Sequence, residues 1–371
     1  MNELVCLDMP NGPEFVNRVA RAWDNGDAIF PIDQRLPHAA KKTIIDSVSP
    51  TIIATLSADA SVSGRKVESG DAVVVATSGT TGTPKAAVLT MDAVIASARA
   101  TSLRLDVTPD DCWLACLPTS HVGGLSVITR SLIMGTRLIA APAFSEDAYE
   151  DAAANGATLV SLVATALLRV DPSKYRIIVL GGSRPPSDRP QNCIATYGMT
   201  ETGSGIVYDG RALDGVELEI RDSIIYVRGP MLLRGYRDGS SPLDANGWLR
   251  TGDRGFISPD GILSVEGREG DLIITGGENV WPEHVEASLH SHPSIDDVCV
   301  AGVSDDVWGH AVHAWIVTKP GHHITLDQVR AHVKENLAPH CAPQQIHVVQ
   351  QIPRTSLGKP QRQVLINSLN G

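Results

Sequence analysis

Between Val73 and Val179 the chain alternates short β-branched or apolar runs with longer helix-forming stretches, and this alternation restricts the fold more than any other feature of the sequence. Val73-Val74-Val75, Trp113 to Leu117, Arg137 to Ala140, Thr158 to Val163 and Ile177 to Leu180 read as strands. Thr90 to about Leu103, Leu125 to Met134, Ser145 to Ala154 and Thr165 to Val170 read as helices, the first capped by the Thr90 hydroxyl. Strands joined by helical crossovers build largely parallel sheets, so an α/β domain is expected. After Tyr197 short strands broken by Gly, Asp and Pro turns take over: Val216 to Ile220, Ile224 to Val227, Phe256 to Ser258 and Ile262 to Val265. They imply a small antiparallel or barrel-like subdomain over about 206–267. From Leu272 a strand, a Gly-Gly turn, a Pro-started helix (Pro282 to His290), strands Val298 to Val303 and Ala311 to Val317, and a helix Leu326 to Leu337 form an α+β unit. The expected organisation is an N-terminal α/β domain over 1–267, a boundary at 268–270 and a C-terminal α+β domain over 271–371.

The net charge of -11 is spread over both halves; from Asp271 onward 10 acidic residues face 6 Lys and Arg. Such a surface has no general attraction for nucleic acid or anionic membrane, so any phosphate binding must come from a specific site. Met1 to Pro10 lacks a basic start and apolar stretch, and the run Ala157 to Val170 is too short and too interrupted to span a bilayer. A cytoplasmic protein without membrane insertion is expected, and nothing in the sequence excludes a homodimer. The six cysteines show no C-x-x-C pair, which favours buried thiols over disulfides or zinc.

Ala76-Thr77-Ser78-Gly79-Thr80-Thr81-Gly82-Thr83-Pro84-Lys85 follows an apolar run and packs two glycines, four threonines, a serine and a lysine into ten residues. Its amides and hydroxyls can surround a polyphosphate, and its glycines let the backbone approach closely. It is not a Walker loop. Pro84 and the β-prone Ala86-Ala87-Val88-Leu89 place it between two strands rather than at a helix start.

Ser78 to Lys85 resembles the signature loop of the adenylate-forming superfamily, which holds acyl- and aryl-CoA synthetases, luciferases and nonribosomal adenylation domains. Four further segments resemble its motifs in order: Tyr197-Gly198-Met199-Thr200-Glu201; Trp248-Leu249-Arg250-Thr251-Gly252-Asp253; Gly267-Arg268 through Gly276-Gly277-Glu278-Asn279; and Pro353-Arg354-Thr355-Ser356-Leu357-Gly358-Lys359. The likeness runs from about Val73 to Arg362.

The resemblance implies an enzyme that joins a carboxylic acid to ATP, giving acyl-AMP and pyrophosphate, and then transfers the acyl group to a thiol, with magnesium as cofactor and CoA as co-substrate. It implies that Thr80, Thr81 and Lys85 hold the β- and γ-phosphates, with Ser78, Gly79, Gly82 and Thr83 in the same ATP-binding loop, that Thr200 contacts the α-phosphate, and that Glu201 contributes to the metal site. Tyr197 would stack on adenine, with Gly198 beside it in the ATP site, Asp253 would accept from the ribose hydroxyls, and Arg268 would reinforce the ribose or phosphate side. Lys359 would bridge substrate carboxylate and α-phosphate. The C-terminal domain would then rotate about Gly270 and present Gly276, Gly277 and Glu278 to the pantetheine thiol. Taken singly, Asp253 could equally form a turn, Glu201 sit as a helix N-terminal charge and Arg268 be a surface cation; their common order weighs against that.

The acid pocket is expected at strand ends, lined by Leu117 to Gly124 with His121, by Val163 to Thr165, by Gly181, Gly182 and Ser183, and by Thr202 to Gly205 with Thr202 and Ser204. This small, polar lining does not suit a long fatty chain. Leu117 to Ser126, Tyr197 to Ser204 and Ile273 to Glu283 look like the members that activate a dicarboxylic aromatic acid, and His121 could orient the second carboxylate or gate the nucleotide. Another aryl- or medium-chain acyl-CoA ligase, an enzyme loading a carrier protein, and a non-catalytic relative stay open.

Overall fold

The computed structural model describes residues 2–77, 85–182, 185–186, 188–354 and 360–369. Its contacts divide the chain into two units: Met1–Glu219, Tyr226–Arg250 and Pro259–Leu263 form the first; Ile220–Ile225, Thr251–Ser258 and Ser264–Gly371 form the second.

The first unit opens with β1 (Leu4–Leu7), α1 (Pro13–Asp24), β2 (Ala28–Pro31), α2 (His38–Val48), β3 (Ile52–Ala54), β4 (Asp59–Ser61), β5 (Asp71–Thr77) and β6 (Lys85–Thr90). It continues through α3 (Met91–Arg104), β7 (Cys112–Ala115), α4 (Val122–Met134), β8 (Arg137–Ala140), α5 (Glu146–Ala154), β9 (Leu159–Leu162), α6 (Ala164–Leu167), β10 (Ile177–Leu180), β11 (Cys193–Gly198), β12 (Gly205–Tyr208) and β13 (Arg211–Ala212). Thr90 caps α3 as expected, its Oγ1 accepting from the Ala93 N–H at 3.2 Å. Ser145 does the same for α5.

The strands of this region fall into two sheets of seven strands each among the described residues. β5 pairs in parallel with β2, a strand of the N-terminal seventy residues, and antiparallel with β6, so residues 78–84 connect neighbouring strands, as Pro84 predicts. The second sheet runs β13-β12-β11-β10-β9-β7-β8, parallel from β8 to β11 and antiparallel beyond. β7 and β9 are buried along their whole length, the signature of strands covered on both faces. Tyr149 and Ala152 of α5 pack on Leu114, Val160, Leu162, Ile178 and Leu180 of this sheet. Helix α4 starts three residues earlier than the sequence predicts. A Cβ on Gly124 would lie 2.4 Å from the Pro118 carbonyl oxygen, so the helix can begin against that turn only because glycine stands there.

Further along come β14 (Glu217–Arg221), β15 (Ile224–Arg228), β16 (Gly235–Tyr236), β17 (Leu249–Ile257) and β18 (Leu263–Arg268). β14, β15, β17 and β18 form a four-stranded sheet in that order, while β16 joins the edge of the first sheet beside β6. In the second unit β19 (Ile273–Thr275), β20 (Glu278–Val280), α7 (Pro282–His290), β21 (Ile295–Asp305), β22 (Gly309–Thr318), α8 (Leu326–Asn336), β23 (Gln345–Val348) and α9 (Arg362–Asn367) follow. Val285 and Leu289 of α7 and Val329 and Val333 of α8 cover one face of the β21–β22 hairpin. Cys299, Ala301 and Trp315 on the other face meet Ile352 and Leu365.

Burial pushes the thiols of Cys6, Cys116 and Cys299 up to about 12, so these cysteines are packing groups. No described helix is long and apolar enough to cross a membrane.

Candidate active site

In the first unit, β11 ends at Gly198 and the chain turns through Met199 and a short helical turn, Thr200 to Thr202. The approach is tight: a Cβ on Gly198 would lie 2.3 Å from the Ser204 carbonyl oxygen. Thr202 is fully buried; its hydroxyl accepts from the Met199 N–H at 3.0 Å and donates to the Ser204 carbonyl at 2.7 Å, which fixes the turn carrying Glu201. Glu201 Oε1 accepts from the Tyr236 hydroxyl at 2.9 Å, and the Lys85 ammonium sits 4.8 Å from the centre of the Tyr236 ring. Two residues expected in the ATP site, Lys85 and Glu201, are therefore brought together through a third that sequence reasoning missed. Tyr236 lies in the Gly- and Arg-rich run Leu233-Arg234-Gly235-Tyr236-Arg237, which carries no hydrophobic period to mark it as a strand. Glu201 is a hard oxygen donor whose second oxygen is not the one held by Tyr236, so the site fits a magnesium ion with Glu201 as ligand.

At the neighbouring strand ends, Gly181 follows β10, its N–H donating to the Leu162 carbonyl at 3.2 Å, and Gly182 has a φ of +86°. His121 occupies the N-cap position of α4 without a side-chain capping hydrogen bond, its Nε2 3.8 Å from the buried Asp33 carboxylate, which Arg35 holds at 2.7 Å. Behind these, Val73, Leu89, Val94, Val122, Leu125 and Gly203 enclose a narrow cavity, and into its lining comes Arg130 of α4. Arg130 is 2 % exposed. Its Nη2 donates to Ser204 Oγ at 3.3 Å and its guanidinium lies 4.9 Å from the Trp113 ring. Nε and Nη1 have no hydrogen-bond partner among the described residues. Burial pushes the guanidinium pKa down, yet arginine keeps its proton, so a cation with unused donors is buried here. In the sequence Ile-Thr-Arg-Ser-Leu, Arg130 gives no sign of being internal.

In the second unit, Asp253 and Arg268 form an ion pair, Nε to Oδ1 2.8 Å, with the Asp253 side chain 10 % exposed. The Asp253 N–H donates to Thr251 Oγ1 at 3.0 Å, and that hydroxyl donates to the Ile225 carbonyl, so the carboxylate is set on a rigid strand. Gly276 and Gly277, with φ of +57° and +85°, make the two-residue turn between β19 and β20, ahead of Glu278. A Cβ on Gly276 would meet the Trp308 ring at 2.9 Å. Gly270 sits in the single turn Glu269–Asp271, where a Cβ would meet nothing within 4 Å.

Ser78, Gly79, Thr80, Thr81, Gly82 and Thr83 of the phosphate loop, Ser183, and Lys359 lie outside the described residues. The residues flanking Lys359 are anchored firmly. Gln361 N–H donates to the Pro353 carbonyl at 2.8 Å, Arg354 pairs with Asp297 at 2.6 Å, and Arg362 reaches Glu286 at 2.9 Å and Glu283 and Asp271 at 3.4 Å.

The pattern of the AMP-binding enzyme family matches residues 31–237, and that of the AMP-binding enzyme C-terminal domain matches 284–359. The chain is 35% identical over 333 residues to the 2-succinylbenzoate--CoA ligase of Bacillus anthracis, a match covering 79% of this chain and 69% of the relative. Its fold superposes on o-succinylbenzoate CoA synthetase from Bacillus subtilis bound to its acyl-adenylate intermediate, with a TM-score of 0.87 and 28% identity, over 98% of this chain and 88% of that one. The same Bacillus subtilis enzyme with ATP and magnesium ion gives a TM-score of 0.86 at 27% identity, over 100% of this chain and 89% of that one. The family pattern spans more than half the chain, and the turn carrying Glu201 and the strand carrying Tyr236 fall inside it: the chain belongs to the AMP-binding enzyme family.

Proposed function

We propose that the protein is an ATP-dependent acid–CoA ligase acting on 2-succinylbenzoate, forming the acyl-adenylate and then the CoA thioester. The observation that carries the substrate class is Arg130. An acid activated at one carboxylate and bearing a second would supply the anion that the buried guanidinium lacks, through paired hydrogen bonds. Ser204 Oγ already accepts from Arg130, and the expected acid-site residues His121 and Thr202 lie in chain order at the start of α4 and in the turn before Ser204.

In the first step a carboxylate oxygen attacks the α-phosphorus, the bond to the β-phosphate oxygen breaks, and pyrophosphate leaves with the electron pair. The chain's contribution is positioning and charge. Lys85 and the phosphate loop hold the β- and γ-phosphates, Thr200 and Lys359 meet the α-phosphate, and Tyr197 lies against adenine. Magnesium, held by Glu201, neutralises phosphate charge when bound. Asp253, oriented by Arg268, accepts from the ribose hydroxyls. In the second step the CoA thiol, deprotonated, attacks the acyl carbon and AMP leaves; the glycine turn at 276–277 gives its pantetheine arm a close backbone approach.

Replacing Asp253 with Ala removes two charge-assisted hydrogen bonds of about 1.5–3 kcal/mol each, so the KM for ATP is expected to rise about 100-fold or more with the KM for the acid little changed. Initial rates at varied ATP check this, and an unaltered ATP dependence would rule out the ribose role. The reading as a whole is tested by pyrophosphate release with a panel of aryl acids, with and without CoA. Release with 2-succinylbenzoate but not with acids lacking the second carboxylate is expected; silence with every acid would contradict catalysis, and dependence on an added carrier protein would favour a loading enzyme.

A further inference from the structure

Tyr236 belongs to a strand of only two residues, yet its neighbours on both sides are anchored to the rest of the first unit. Gly235 and Tyr236 pair with Val88 and Ala87 of β6, and the backbone N–H groups of Arg234 and Arg237 donate to Val88 and Ala86 at 2.9 and 2.7 Å. On one side Arg234 is fixed by Asp71 at 3.0 Å and Glu68 at 2.8 Å. On the other, the buried Arg237 donates to the carbonyls of Val48, Ser49, Arg65 and Lys66, which tie the strand to the end of α2 and the loop before β5. The Leu233 N–H donates to the Glu201 carbonyl at 2.8 Å, joining this run to the turn that carries the glutamate.

The ring emerging from this clamp has two polar neighbours of opposite charge. Its hydroxyl donates to Glu201 Oε1 at 2.9 Å, and its face lies 4.8 Å from the Lys85 ammonium. A hydroxyl can fix one carboxylate oxygen and leave the other free, which sets the rotamer of a metal ligand. A ring face attracts an ammonium without using any of its N–H donors, so the Tyr236 contact can place the lysine without consuming its hydrogen bonds.

We propose that Tyr236 is a positioning residue of the ATP site, holding Glu201 in the orientation that receives magnesium and Lys85 in the orientation that receives the terminal phosphates. This rests on the reading of Lys85 and Glu201 as ATP-site residues. Its two contacts are separable: Tyr236→Phe keeps the ring under Lys85 and loses the bond to Glu201, whereas Tyr236→Leu loses both.

Calorimetric titration of the full chain with the unreactive analogue α,β-methylene-ATP, in magnesium and again in EDTA, tests the proposal without catalysis. Tyr236→Phe is expected to weaken binding about 10- to 100-fold in magnesium and to leave binding in EDTA unchanged; Tyr236→Leu weakens both. Thermal melting shows whether each variant is folded, and the Phe variant, which keeps the packing, decides the matter if the Leu variant is not. Equal binding by wild type and Tyr236→Phe in magnesium, or an equal loss with and without metal, overturns the positioning role while the ATP reading stands. An unmutated protein that binds no analogue in either medium overturns the ATP reading, and this one with it.

Discussion

Lys359→Ala is expected to lower acyl-adenylate formation by about 10³-fold, while conversion of a supplied acyl-adenylate to its CoA thioester continues at close to the normal rate. The step that needs this cation is the one in which negative charge gathers between the attacking carboxylate and the α-phosphate. In the proposed second step AMP leaves an acyl carbon, and the groups assigned to that step, the glycine turn at 276–277 among them, do not include Lys359. The residues on either side of Lys359 support the split: Arg354 and Arg362 are bound to Asp297, Glu286, Glu283 and Asp271, so an alanine at 359 leaves the anchors of that segment untouched. Pyrophosphate release and thioester formation are measured separately, the second from synthetic acyl-adenylate. A parallel fall in both would show that Lys359 supports the fold or both half-reactions, and the assignment would fail.

The second large effect concerns Arg130. Breaking a buried, hydrogen-bonded charge pair costs about 3–5 kcal/mol, so Arg130→Met is expected to reduce kcat/KM for 2-succinylbenzoate on the order of 10²- to 10³-fold. An aryl acid with one carboxylate gives Arg130 no partner, and its slower turnover should be unchanged or improved. The free enzyme should lose little stability, because the guanidinium it carries has only Ser204 Oγ at 3.3 Å and the Trp113 ring as partners among the described residues. Comparing kcat/KM for the two acids in wild type and variant isolates the second carboxylate from general damage. An equal loss for both acids would mean that Arg130 serves the pocket's structure and does not select its substrate.

The parts of the molecule legible in the sequence are those whose cause is local. Arg137 to Ala140 and Ile177 to Leu180 are strands with the predicted bounds because a short apolar run between turn residues has few alternatives. Thr90 and Ser145 cap their helices because a hydroxyl before a helix can reach the third backbone N–H. Strand β17 is less legible: Asp253 in Thr-Gly-Asp could equally form a turn, yet Leu249–Ile257 is extended, with Gly252 at a φ of +75° and the Asp253 N–H on Thr251 Oγ1. The N-terminal strands that complete the first sheet pair with Val73 and its neighbours across the turns and helices between, and no local pattern encodes that partnership.

The candidate site divides in the same way. Glycine- and threonine-rich segments, Glu201, Asp253 and Arg268 stand out because their motifs are contiguous or in order along the chain. Arg130, Tyr236 and the Asp33 carboxylate beside His121 matter only through burial and long-range contact: Tyr236 meets Glu201 from 35 positions away, and Arg130 meets Ser204 from 74. An arginine on a helix or a tyrosine in a glycine-rich run is ordinary in sequence; what singles them out is enclosure with no counter-ion among the described residues for Arg130, and a place between an acid and a base for Tyr236.

The most direct test of the account combines purified protein, ATP, magnesium, CoA and 2-succinylbenzoate and follows the products by mass spectrometry. The account predicts 2-succinylbenzoyl-CoA, with AMP and pyrophosphate formed in equal amounts and no thioester when ATP is left out. Active protein that makes no thioester from this acid, while converting an aryl acid with a single carboxylate, would contradict it.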